Sequence, residues 1–370
     1  MSDYTPLTAL TVTRKNIENC AFSQWYPLFK GHTTRSRILK PVPQEFIDYL
    51  KQDGIKLPED KEDNSFYTAG ISNNDDNEYS DWEEENEDGD AESANPNSEN
   101  ATKAVDPMIH FKEFHEQLKD TIKELGPVTP KLNWSAPKDS TWIVPNNSMK
   151  CNEVNEIYLL LNASNYIMHD LEYAFDECEP EVENTTQPET ELILREWFDI
   201  NPALEFRVFV RNGMIVGASQ RDLNYYDYLE ALSDTFKDLI DEFVEDVVLP
   251  KFPDTSFVLD IYIPRPFNKV YLIDINPFAR KTDSLMFSWN ELITEKESAA
   301  DEGEEDDYEL RLIKENNTGR FACKEHSEHH VPRDVVDASL DPNAIRELAQ
   351  KWKELLTQQE QESSEEEEED

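Results

Sequence analysis

The sequence predicts an α+β fold built on antiparallel sheets, and three observations carry that prediction. Residues 205–220 form two alternating apolar runs around Asn212-Gly213. Residues 257–275 form a second pair of apolar runs around the turn Pro264–Asn268. Segments with apolar residues at helical spacing flank both pairs. The 370 residues suffice for one large two-lobed domain or two ordinary ones.

The elements are read in order along the chain. Residues 14–57 are aromatic-rich and folded, with a short helix in "VPQEFIDYLKQDGI" that places Phe46, Ile47 and Leu50 on one face. Residues 60–105 combine low apolar content with high charge, the composition of a disordered acidic loop. Residues 109–126 repeat apolar side chains from Ile109 to Leu125 at helical spacing, and Gly126-Pro127 stops that helix. Strand, loop and strand are expected across 128–144, one helix across 153–175, and a polar break at 178–190. Residues 192–198 read as a strand, and 228–252 as one long amphipathic helix. A last helix is expected from about 342 to 359, capped by Asp341 with Pro342 at its first position. Its apolar stripe includes Ile345, Leu348, Trp352 and Leu356.

The formal charge is −45. Much of it sits in three stretches: 75–92 with eleven acids and no base, 295–309 with nine acids and one lysine, and 360–370 with eight acids and no base. Such a surface argues against DNA or RNA as a direct partner, because that binding begins by neutralising phosphates. Four scattered cysteines form no C-x-x-C pair, so neither a disulfide framework nor a zinc site is indicated. No apolar run of 18 residues exists, and the N-terminus lacks the pattern of a signal peptide. A cytosolic protein, monomeric by itself and not bound to membranes, is expected. The His326, His329 and His330 group lacks a partner at ligand spacing and reads as a solvated segment.

The hairpins raise a question of chemistry. Asp260, Asp274 and Asn276 interrupt strands that are otherwise core material. With residue 263 facing 269, Asp260 lies opposite Leu272, and Asp274 and Asn276 share its face. The two carboxylates become diagonal neighbours, about 7–8 Å apart at the backbone. That gap suits one or two Mg²⁺ ions, which prefer hard oxygen ligands. A solvated polar sheet face is the plainer alternative. In the other hairpin a three-residue turn, Arg211-Asn212-Gly213, puts Glu205, Arg207 and Arg221 on one face and Phe206, Val208 and Val210 on the other. The two arginines can hold phosphate oxygens bidentately, or belong to a surface ion-pair ladder.

These residues resemble the metal signature of an ATP-grasp lobe: an acid on one strand, then an acid-x-Asn on the next, here Asp260 and "DIN" at 274–276. Longer strings are similar to the cell division cycle protein 123 family, among them "PKLNWSAPKDSTWI", "NPALEFRVFV", "GASQRDLNYYDYL", "FVLDIYIPRPFNKVYLIDINPFARKTDSLMFSW" and "NTGRF". The resemblance implies an ATP-grasp-like, two-lobed fold with nucleotide between the lobes. It implies an ATP- and Mg²⁺-binding protein that assembles eukaryotic translation initiation factor 2 through its gamma subunit. By the same resemblance Lys131 reaches the phosphates, with Lys138 and Lys150 as alternatives. The loop carrying Trp134, Ser135 and Ala136 closes over them. The strand Arg195, Glu196, Trp197, Phe198 reads adenine. Glu205, Arg207 and Arg221 line the phosphate side, and Asp260, Asp274 and Asn276 carry the metal. Asp274 departs from the glutamate usual at its place. A carboxylate–amine ligase working through an acyl-phosphate would use the same site, and an acidic scaffold with a vestigial pocket is the third reading.

The expected organisation is an N-terminal region with the small lobe over 1–190, the large lobe over 191–330, and a C-terminal helix with acidic tail over 331–370. The segment around 331–356 is the expected contact with the gamma subunit, Trp352 its anchor, and docking of the last helix on its own domain is the plainer alternative. Asp274→Ala is expected to abolish Mg–ATP binding and leave the fold intact. Deleting residues 66–100 should leave the melting temperature within about a degree of the full chain, since the segment has little apolar surface to bury. Calorimetric melting of the deletion variant checks it, and a drop of many degrees would show that the segment packs.

Overall fold

In the computed structural model, residues 10–52, 54–58, 107–176, 178, 188–294 and 308–315 are described. The acidic loop 60–105, residues 295–307, the histidine group, the C-terminal helix and the tail lie outside the described residues. Among the described residues no helix is long and apolar enough to cross a membrane.

Two sheets organise the chain. Strands β1 (Ser36–Leu39), β2 (Val128–Lys131) and β3 (Leu192–Glu196) form a three-stranded antiparallel sheet in the order β1-β3-β2. Strands β4 (Glu205–Arg211), β5 (Met214–Gln220), β6 (Phe257–Tyr262), β7 (Tyr271–Pro277) and β8 (Leu310–Arg311) form a five-stranded sheet in the order β7-β6-β4-β5-β8. Its pairs are antiparallel except β5 with β8. The α+β class with antiparallel sheets is as expected.

Two main cores meet at β3, whose successive side chains point to opposite faces. Ile193 joins the core beneath the five-stranded sheet. Leu192 and Leu194 join the second core, with Phe46, Leu118 and Ile157. The first core also takes helix α2 (Phe22–Phe29) through Phe22, Trp25 and Phe29. The proposed boundary at 190/191 therefore falls just before the strand that completes the first sheet.

The helices form where apolar spacing and caps coincide. Thr13 caps α1 (Arg14–Asn19), its hydroxyl accepting from the Asn16 amide while the Asn16 carboxamide accepts from Thr13 N–H. Helix α3 (Gln44–Leu50) buries Phe46 and Leu50. Helix α4 (Lys112–Leu125) ends at Gly126, whose φ of 78° suits glycine. Ile109 lies before it and is exposed.

Four expectations are corrected. The region 153–175 is two helices, α5 (Val154–Asn162) and α6 (Asn165–Glu172), because the Ser164 hydroxyl caps a new start by accepting from Ile167 N–H. The second strand expected within 128–144 is a 3₁₀ segment, Lys138–Ile143, because the free edge of β2 is taken by Cys151, which exchanges two backbone hydrogen bonds with Val128. The turn after β4 has two residues: Arg211 faces Met214, and Asn212 and Gly213 both have positive φ. An irregularity past Phe209, which faces Gly217 while Val210 faces Ile215, restores the parity, so Glu205, Arg207 and Arg221 still share a face. In the last hairpin the register at the turn puts Leu272 opposite Ile261, one residue from the expected pairing, and an irregularity after Asp260 shifts it by one more, so Asp260 lies directly opposite Asp274. Leu272 thus joins the main core.

Helix α7 (Ser233–Glu242) starts later than the expected helix and continues in a π-helical turn, Phe243–Val248. That wider turn keeps Phe243, Val244 and Val248 buried. Helix α8 (Trp289–Thr294) buries Leu292 and Ile293 against the opposite face of the five-stranded sheet, beside Phe209, Val216 and Phe287.

Gly217 in β5 is required by packing. A Cβ there would stand 2.8 Å from the Phe287 ring, which is itself buried. Gly217→Ala should cost about 1–3 kcal/mol by overpacking. Urea denaturation measures it, and an unchanged midpoint would show that the ring moves freely.

Candidate functional site

One row of charged side chains crosses the five-stranded sheet. Arg207 on β4 faces Asp260 on β6, which faces Asp274 on β7. Period-2 alternation puts all three on the face opposite Phe206, Leu259 and Ile261. Arg207 grips Asp260 with two parallel bonds, Nε to Oδ1 at 2.7 Å and Nη2 to Oδ2 at 2.9 Å. Its Nη1 donates to the Asp283 carbonyl at 2.7 Å. Arg221 stands 3.6 Å from the same carboxylate and 3.5 Å from Glu205. Asn276 Nδ2 lies 3.4 Å from Asp260 Oδ2. Burial pushes the Asp260 carboxyl up, but Arg207 and Arg221 outweigh it and hold the group down at about 2.

The row continues into the other sheet. Lys131 at the end of β2 is 1 % exposed, and its Nζ donates to Asp274 Oδ2 at 2.6 Å. The same ammonium donates to the Trp134 carbonyl. Arg195 of β3 adds a second link, Nη1 to the Ile273 carbonyl at 2.9 Å. The buried ammonium is therefore compensated by a partly exposed carboxylate across the joint between the sheets.

A cleft of about 210 Å³ opens beside this row. The segment after β2 supplies Trp134, Ser135 and Ala136, and the sheet supplies Arg207, Arg221, Asp260, Asp274 and Asn276. The lining also includes Lys138, the alternative to Lys131, and among its other residues Tyr166, His169, Asp170, Lys281 and Asp283, none of them expected from the sequence. Tyr166, His169 and Asp170 stand at i, i+3 and i+4 on α6, so their common face was visible as a spacing. Lys281 contacts His169 across the cleft mouth.

Other expected residues lie off the cleft lining. Lys131 is behind it. Arg195 bonds Ile273 and, at 3.3 Å, Thr33. Glu196 holds Arg35 through two bonds of 2.8 and 2.7 Å. The backbone amides of Glu196 and Trp197 go to the Arg35 and Pro127 carbonyls. The Trp197 ring bonds Asp199, and Phe198 packs against Tyr262 and Tyr271. Glu205 reaches the site through Arg221.

Among the described residues no three His, Cys, Asp or Glu side chains converge as a metal cluster. Two carboxylates and a carboxamide do converge, and Asp274 and Asn276 line the cleft. Hard oxygens of that kind fit Mg²⁺ sharing its remaining coordination with phosphate. The neighbouring cations give a polyanion its counter-charges.

Fold and site together define an α+β protein with two main cores, a buried charge row at their joint, and a small cleft of mixed charge. The chain belongs to the D123 family, whose pattern matches residues 25–339. It is 62 % identical over 357 residues to "Cell division cycle protein 123" of Candida glabrata, covering 96 % of this chain and 97 % of that one. It is 61 % identical over 358 residues to "Translation initiation factor eIF2 assembly protein" of Vanderwaltozyma polyspora, covering 97 % and 96 %. The solved structure of Cdc123 from Schizosaccharomyces pombe is similar with a TM-score of 0.62 and 33 % identity, over 83 % of this chain and 100 % of that one.

The geometry revises one expectation. Asp274→Ala removes the partner of a buried ammonium, so it should cost about 3–5 kcal/mol of stability as well as any ligand binding. Asp274→Asn keeps an acceptor for Lys131 and should cost clearly less. Urea denaturation of both variants checks this, and equal wild-type stability in both would mean the pair does not hold the joint.

Proposed function

We propose that the chain is an ATP–Mg²⁺-binding assembly chaperone for translation initiation factor 2, acting on its gamma subunit. The cleft carries this reading. It joins three oxygen donors on one sheet face to Arg207, Arg221 and Lys138 within one small volume. The name "Translation initiation factor eIF2 assembly protein" of close relatives points to the same factor. In this reading Asp260, Asp274 and Asn276 hold Mg²⁺, which neutralises phosphate charge when bound. Arg207 and Arg221 stand where they can meet phosphate oxygens, and Lys131 sets the position of Asp274. Trp134, Ser135 and Ala136 wall the cleft. The work is done by binding: the nucleotide organises the chain for its partner. The segment 331–356 is the proposed contact with the gamma subunit, in the cytoplasm.

Two measurements test it. Titration calorimetry should show Mg–ATP binding to the wild type and a loss of at least tenfold in Asp274→Asn, the variant expected to keep its fold. Unchanged affinity would remove the carboxylate from the site. A pull-down of the gamma subunit should fail when the chain stops after residue 330, and full retention would move the docking surface to the described body.

A further inference from the structure

The segment after β2 and helix α6 hold each other at two points. Asp170 of α6 accepts the Trp134 amide at 3.1 Å and the Ser135 amide at 2.7 Å on Oδ2, and the Ser135 hydroxyl at 2.7 Å on Oδ1. Asp139 of the segment returns the contact at the start of α6, accepting the Ser164 hydroxyl at 2.5 Å and the Asn165 amide at 2.8 Å. The carbonyl side of the same peptides is also engaged. Trp134 O accepts from Lys131 Nζ, and Ser135 O accepts Leu132 N–H at 2.9 Å. A continuous chain of hydrogen bonds therefore runs from Asp170 through the Ser135 N–H and the Trp134 carbonyl of one peptide to Lys131 and on to Asp274.

We propose that Asp170 is a positioning residue of the cleft: through the Trp134–Ser135 backbone it fixes where the Lys131 ammonium sits beside Asp274. The proposal deepens the nucleotide reading and rests on it for its consequence in binding. An ionised carboxylate suits the task, because charge-assisted bonds are short and roughly twice as strong as neutral ones. Three donors converge on it. Without Asp170 the two amides lose their acceptor inside the protein, and the Trp134 carbonyl loses the restraint that aims it at Lys131.

The same carboxyl gives the arrangement a pH dependence. Burial raises it to about 6, against the Ser135 and Trp134 donors and the positive charge of Lys131. His169 is its neighbour on α6, with Lys281 next to that ring, and both line the same cleft. Because folding raises this carboxyl, the native state binds its proton more tightly than the unfolded chain does. Acidification through about 6 thus costs no stability through this group. What it weakens is the hold on the two amides.

The test uses the full chain and Asp170→Asn. Amide hydrogen exchange at Trp134 and Ser135 should quicken roughly tenfold or more, since a charged acceptor is lost. Mg–ATP affinity near neutral pH should fall by a similar factor. Across roughly pH 5 to 8 the wild-type affinity should drop on acidification more than the variant's does. The nucleotide's own titration is common to both and cancels in the comparison. Ser135→Ala removes one of the three bonds and should give a smaller loss with the wild-type midpoint; it also decides the matter if Asp170→Asn fails to fold. Wild-type exchange at both amides, or identical pH profiles, would overturn the proposal. If the wild type binds no Mg–ATP at all, the nucleotide reading falls, and the exchange rates still decide whether Asp170 holds this backbone.

Discussion

The joint between the two sheets depends on an ion pair that neither sheet could keep alone. Lys131 ends a short strand of one sheet and is buried. Asp274 stands in the middle of β7, the edge strand of the other, and is partly exposed to the cleft. The buried ammonium would be costly without that carboxylate, and their contact makes the cost tolerable. A pair of this kind adds little net stability over an apolar substitute. What it adds is position, because the low-dielectric surroundings penalise every arrangement in which the two separate. The Arg195 bond to the Ile273 carbonyl fastens the same strand one residue earlier. The cleft lies against this joint, with Asp274 in its lining.

The Arg207–Asp260 pair serves a different purpose. Both partners sit on adjacent strands of one sheet, and the sheet fixes their spacing without help. The pair keeps a carboxylate ionised in a place where burial alone would neutralise it. One ionised acid beside two arginines leaves this part of the site with an excess of positive charge.

Much of the architecture was legible because periodicity carries it. The alternation in β4, β6 and β7, the apolar spacing of α4, and Gly126 as a stop all correspond to observed elements. The errors have different causes. A local cap divided the helix at Ser164, Cys151 took the edge of β2, and one-residue irregularities reset the registers of two hairpins. A one-residue change of register at the turn and another after Asp260 changed which side chain faces Asp274 and put Leu272 opposite Ile261, in the core. Parity explains why the site survived such mistakes. Asp260 and Asp274 share a face in the expected register and in the observed one.

The sequence alone determined the α+β class, the two hairpins, and the set of acids and bases on the site face, because these follow from spacing along one strand or one turn. It also carried the family strings, from which the ATP and magnesium reading came. Tertiary structure decided how those charges are partnered. No local pattern tells that Lys131 meets Asp274 143 residues away, or that Asp170 holds the Trp134–Ser135 backbone. It also decided that β3 divides two cores and that the Arg195–Phe198 stretch turns from the cleft into its sheet. The reason is the range of the forces. Backbone sterics and hydrophobic alternation act over a few residues, whereas a buried charge selects its partner from whatever the folded chain brings within about 4 Å.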